Sequence, residues 1–160
     1  MAAPDISEQS SFAAIGAALA ENVEAALPKL RAISEARASQ PRAAGKWSPK
    51  QVIGHLIDSA ANNHQRFVRA QEGESYAGPG YTQDHWVAVQ GYQDSSWDDL
   101  IDLWRAYNRH LARVIERIPE AKRGTTCTIG SYAPATLAFV ASDYVRHLRH
   151  HLAQADAVPD

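Results

Sequence analysis

At 160 residues the chain has the usual length of one domain and can bury roughly two thirds of the surface its unfolded form exposes. With 45% hydrophobic and 21% charged residues, and 16 Lys+Arg against 18 Asp+Glu, it is neither disordered in composition nor basic enough to argue for nucleic acid or an anionic membrane as partner. The single cysteine, Cys127, cannot close an intrachain disulfide, the alanine-rich start lacks the basic flank of a signal peptide, and no run approaches the roughly 18 apolar residues of a membrane span, so a cytoplasmic protein is expected.

Periodicity gives four long helices and no convincing strand. Phe12, Ile15, Leu19, Val23, Leu27, Leu30 and Ile33 recur at three- and four-residue steps, predicting a helix over 8–33 whose last turns Pro28 kinks or breaks. Pro41 and Gly45 mark a loop, after which Ser48 caps a second helix that has Pro49 at its first position and runs to about residue 71. The stretch 73–96 is too long and too aromatic for a plain connector, so it is expected to cross the bundle and to carry a short helix near 84–90. Ser95 or Ser96 caps the third helix, whose first turn sets Asp98 and Asp99 against the macrodipole and which ends before Pro119. A loop holding Cys127 and Gly130 leads to Pro134 and a fourth helix reaching about residue 155. No repeat, low-complexity tract or second boundary appears, so 1–160 reads as one all-α domain: a four-helix bundle with a long crossover loop between its second and third helices.

The last helix carries DYVRHLRHHLAQ, residues 143–154, with three histidines. At ~100° per residue His147 and His151 fall within ~40° of each other and one turn apart, as two imidazoles sharing an ion must, while His150 points elsewhere. The same spacing also suits a solvated or hydrogen-bonded face, so spacing alone leaves both readings open. The best third nitrogen on another helix is His55. In GHLIDSAANNHQRF it shares a face with Asp58, Ser59, Asn62 and Arg66, a polar stripe that looks either at solvent or at a polar cavity, with His64 nearly opposite. For His64, His85, His110 and His150 hydrogen-bonded core or surface roles are the better reading from the residues alone. Cys127 reads as a packing residue, and Trp47, Trp86, Trp97 and Trp104 as core or bundle-end packing. The Glu-x-x-His pairs of di-iron bundles and the HExxH of zincins are both absent.

GKWSPKQVIGHLIDSA, residues 45–60, resembles the signature of the DinB-like (YfiT-like) superfamily of metal-dependent hydrolases, and 143–154 resembles its final-helix motif; NNHQRFVRAQ and YTQDHW resemble one bacterial subgroup. The likeness runs over nearly the whole chain. It implies a four-helix bundle, often a homodimer, with one divalent metal ion per chain held by three histidines, which matched residue by residue are His55, His147 and His151. Three neutral imidazoles leave coordination positions open, and zinc or nickel suits them best, with manganese or iron also admitted. The family is similar to thiol S-transferases that use low-molecular-weight thiols, so the expected activity is hydrolysis or thiol S-transfer on a small molecule; the alternative is a metal-stabilised, non-catalytic binding or stress-response module. Asp58 and Asp143, each one turn from a ligand histidine, are candidates to accept its second N–H or else to pair with an arginine. Asp84 and His85, on the long loop, are the acid–base candidates if that loop covers the ion. The surface around His64, Phe67 and Val68 is the expected dimer contact, and metal binding is expected to weaken through the ~6.5 titration range of an unperturbed imidazole.

Overall fold

Serine caps fix the starts of three of the four long helices. The computed structural model describes residues 6–156. In chain order it contains α1 (Phe12–Ala32), a one-turn α2 (Glu35–Ala38), α3 (Pro49–Arg69), β1 (Ser75–Gly78), α4 (Gln83–Val89), α5 (Trp97–Glu116), β2 (Thr126–Ile129), β3 (Ala135–Thr136) and α6 (Leu137–Asp156). Ser11, Ser48 and Ser96 each accept a hydrogen bond from the backbone N–H three residues on, satisfying a donor that the first turn of α1, α3 and α5 would otherwise leave unpaired. At α3 the cap is reciprocal: Gln51 N–H donates to Ser48 Oγ and Ser48 N–H donates to Gln51 Oε1. The true cap Ser11 makes α1 begin later than residue 8. Pro28 does not end it, because the turn beyond is anchored by buried Leu30, whose carbonyl accepts from the Trp97 indole at 3.1 Å.

The four long helices form a ring in which α1 packs against α5 and α6, and α3 against α5 and α6. Phe12, Ile15, Leu19, Ile53, Leu56, Trp104, Leu111 and Leu148 fill its interior, each worth about 1.5–3 kcal/mol of burial for an aliphatic or phenyl side chain. The likeness to a four-helix bundle therefore holds, with a crossover that is more structured than a loop. Residues 75–78 and 83–89 of it are β1 and α4.

The strands depart from the all-helical expectation. β1 pairs in parallel with β2, Tyr76 opposite Cys127, and β2 pairs antiparallel with β3, Cys127 opposite Ala135. Segments of four and two residues are too short to show a period of two, and they exist only because two linkers distant in sequence meet. Their effect is to tie the crossover to the segment that leads into α6. Phe67 also departs from expectation: it is fully buried in the bundle, so the proposed contact surface around His64 lacks it, and of its apolar members only Val68 is exposed, at 43%. No helix among the described residues is long and apolar enough to cross a membrane.

Gly54 lets the crossover approach α3. A Cβ at this position would lie 2.1 Å from Cδ2 of Tyr92, the residue that opens the 3-10 turn Tyr92–Asp94, and the Tyr92 hydroxyl donates to Asp58 Oδ1 at 2.6 Å. Gly54→Ala must therefore push the ring away and loosen that hydrogen bond. The expected cost is about 1–3 kcal/mol, read as a lowered melting temperature; an unchanged melt would mean that Tyr92 is not held against α3.

Candidate metal centre

The capping box places the start of α3 so that His55, in its second turn, faces α6, where His147 and His151 stand one turn apart. The Nε2 atoms of His55 and His147 are 3.2 Å apart. Ring centroids are separated by 5.0 Å for His55 and His147, 4.5 Å for His55 and His151, and 4.4 Å for His147 and His151. One nitrogen from each of the three lies within 4.8 Å of the others. His55 is fully buried, and His147 and His151 are half-buried. Trp47, just before the cap of α3, stacks at a tilt with its ring 5.0 Å from that of His55 and 6.5 Å from that of His151, which closes this side of the cluster with apolar surface.

Burial makes these imidazoles neutral. Removal from water, reinforced by the neighbouring His151 and His147, lowers the pKa of His55 to about 3. Burial likewise lowers His147 to about 4, with Asp143 opposing the change, and lowers His151 against the hydrogen bond it donates to Gln154. At neutral pH each ring therefore carries one proton and one free lone pair. For His151 the arrangement is legible: Nδ1–H donates to Gln154 Oε1 at 2.9 Å, while Gln154 Nε2 donates to His150 Nε2 at 2.9 Å, so the lone pair of His151 is on Nε2. Ser59 Oγ lies 3.5 Å from His147 Nδ1. The buried Nδ1 of His55 has no hydrogen-bond partner among the described residues, and neither has Asp58 Oδ2 one turn further along α3. The other carboxylate oxygen of Asp58 accepts from Tyr92 and from Gln90 Nε2.

The remaining candidates are distributed differently. Asp143 forms an ion pair with Arg146 at 2.9 Å. His64 meets the Tyr107 hydroxyl at 3.1 Å and the ring of His110, away from the trio. Asp84 and His85 are both exposed on α4, and neither lines the cavity beside the trio, because α4 turns its Val87 side to the protein and these two residues outward. That cavity, of about 710 Å³, lies between α3, α6, β2 and the approach to α4; Ser59, Arg66, Tyr81, Cys127, Tyr144 and His147 are among its walls. His147 is the member of the trio that reaches it. Cys127 is a buried thiol whose pKa burial raises, which suits packing rather than nucleophilic attack.

Comparison with known proteins agrees with this architecture. The family model of the DinB superfamily matches residues 17–155. The chain belongs to the DinB superfamily. A curated relative from Oceanobacillus iheyensis, named "Putative metal-dependent hydrolase OB0413", is 25% identical over 109 residues, which span 68% of this chain and 62% of the relative, less than two thirds of its length. Among solved structures, YfiT from Bacillus subtilis, described as "a probable metal-dependent hydrolase with an unusual four-helix bundle topology", matches with a TM-score of 0.78 at 18% identity, over 92% of this chain and 83% of that one. The likeness to YfiT establishes that this DinB-superfamily chain has the four-helix bundle fold.

Two contributors to the site were not anticipated from the sequence. Gln154 stands three residues after His151, on the same face of α6, a spacing that could have flagged it as a partner. Trp47 could be read only as packing, since its contact with His55 depends on how the loop before α3 folds back.

Proposed function

We propose that the chain holds one divalent metal ion between His55, His147 and His151 and is a metal-dependent enzyme that acts on a small molecule in the adjoining cavity, by hydrolysis or by thiol S-transfer. The observation that carries this reading is the convergence of three neutral imidazoles, one fully buried and two half-buried, one of which, His147, reaches a cavity of about 710 Å³. The donor set fits the group: three nitrogens without countercharge suit zinc or nickel, and manganese or iron after them. When bound, such an ion supplies a Lewis acid that lowers the pKa of water or of a thiol. The protein's part is to hold the rings. Gln154 fixes the tautomer and orientation of His151, and Ser59 stands where it can do the same for His147. Asp58 is one turn from the unpaired Nδ1 of His55 and has an unpaired oxygen to offer it. Tyr144, whose hydroxyl donates to buried Asn108 Oδ1, keeps α6 in register against α5. The names carried by the Oceanobacillus relative and by YfiT support metal-dependent hydrolysis; the S-transfer branch rests on the family resemblance. Asp84 and His85 have no part in this reading, since both are exposed on α4.

The competing reading is a metal-stabilised module that performs no chemistry. Cobalt-loaded protein separates the two. Azide or 2-mercaptoethanol is expected to change its visible spectrum, because a three-histidine site keeps positions open to small ligands. A spectrum indifferent to both would mark a closed coordination shell and favour the module.

A further inference from the structure

The cavity contains a cation that no carboxylate among the described residues neutralises. Arg66 stands on the α3 face that carries Ser59 and Asn63, and all three line the cavity. Its Nη1 donates to Asn63 Oδ1 at 3.2 Å, a neutral amide acceptor. Among the described residues no carboxylate lies within ion-pair distance of it. The one acidic wall residue, Asp143, is already paired with Arg146, whose guanidinium also sits over the Phe139 ring. With Asp143 engaged by Arg146, the part-buried guanidinium of Arg66 is left in the cavity wall without a countercharge among the described residues, and its partial burial makes that costly.

We propose that Arg66 is the anchor for a carboxylate on the substrate, so that the cavity takes small monocarboxylates with an apolar body. The proposal deepens the function given above, and rests on it only in assigning the cavity to the substrate. A guanidinium offers paired N–H donors to one carboxylate, and Arg66 has its donors beyond Nη1 to give. Arg66 is the one guanidinium among the lining residues, so it can balance one negative charge. Ile129, Phe139 and Val140 supply apolar wall for the body of the molecule. Ser59, which touches His147, and Arg66 are seven residues apart on α3, or ~10 Å along the helix axis, so the carboxylate and the group presented at His147 are separated by several bonds.

The test is calorimetric titration of the whole chain, with and without zinc, using hexanoate, hexan-1-ol and butyl phosphate. Metal-free protein is expected to bind hexanoate at least ~10-fold more tightly than hexan-1-ol, a preference that a charge-assisted hydrogen bond readily supplies. Arg66→Gln should bring hexanoate down to the level of the alcohol and leave the alcohol unchanged, and Arg66→Lys should keep part of the preference; circular dichroism confirms that each variant is folded. Equal affinity for hexanoate and the alcohol in the wild-type chain, or a preference that survives in Arg66→Gln, overturns the proposal. So does a preference that appears only with zinc, since the carboxylate would then be on the ion. Butyl phosphate binding as tightly as hexanoate overturns the assignment to carboxylates. Because the deciding comparison is made without metal, failure of the metal site would leave it intact and would show separately in the cobalt spectra.

Discussion

Protein purified without a histidine tag is expected to contain close to one divalent ion per chain, and His55→Ala, His147→Ala or His151→Ala to lower metal affinity by ~100-fold or more each. The size of the effect follows from the site: with three protein ligands, losing one removes a third of what the protein contributes and leaves only two rings, 4.4 Å apart between centroids in the case of His147 and His151, to hold the ion. His150→Ala and His64→Ala should leave the metal content unchanged, because the first side chain is exposed, meets His151 only edge-on and accepts from Gln154, and the second pairs with Tyr107. Gln154→Leu should fall between, at ~10- to 100-fold, as partners that orient ligand histidines usually do. His55→Ala also opens a cavity in the core, so its metal loss is read beside the exposed-side variants His147→Ala and His151→Ala, where folding is less at risk. Elemental analysis and competition titration with a chromophoric chelator provide the measurement. Loss of metal in His150→Ala with retention in His147→Ala would mean that α6 presents the opposite face, and the assigned trio would fall.

How far the sequence reaches is shown by these same residues. The helix frame is local information: caps at Ser48 and Ser96, apolar repeats at three and four, and prolines at helix starts decide it without reference to the rest of the chain. The meeting of His147 with His151 is also local, being a matter of ~100° per residue along one helix. His55 joins them only by tertiary packing, and its polar neighbours on α3 gave the clue, because a row of Asp58, Ser59 and Arg66 on a helix otherwise committed to the core needs a polar cavity. What escaped was contact between segments far apart in sequence. The strands pair residues 75–78 with 126–129, Gln90 and Tyr92 reach back to Asp58, and Trp47 folds over His55, none of which leaves a periodic trace. The orientation of α4 depends on which of its sides is buried, and with Val87 turned inward Asp84 and His85 lie on the surface.

Burial also moves the pH at which protons and metal compete. A free imidazole titrates near ~6.5, and on that basis metal binding would fade between pH ~7 and ~5. In the folded chain desolvation holds His55 at about 3 and His147 at about 4 and lowers His151, so at pH ~5 His55 and His147 bind almost no protons and their lone pairs remain available. Stabilisation by added zinc, the difference between melts with and without the ion, is therefore expected to persist from pH ~8 down to pH ~5 and to disappear only as pH approaches ~4. The metal-free fold behaves differently. Its unfolded state takes up protons on these histidines below pH ~6.5 while the native state does not, so stability is full above that value and falls with acidification, by at most ~1.4 kcal/mol per pH unit for each histidine, until the native pKa values are reached. Both melting temperatures should thus drop between pH ~6.5 and ~4 while the gap between them stays open over most of that range. In a His55→Ala/His147→Ala double variant the zinc-induced gap should be absent at every pH and the acid slope shallower. A gap that closes already by pH ~6 would mean that the three rings titrate as solvated imidazoles and are not buried together, and a gap that survives in the double variant would mean that the ion is held elsewhere on the chain.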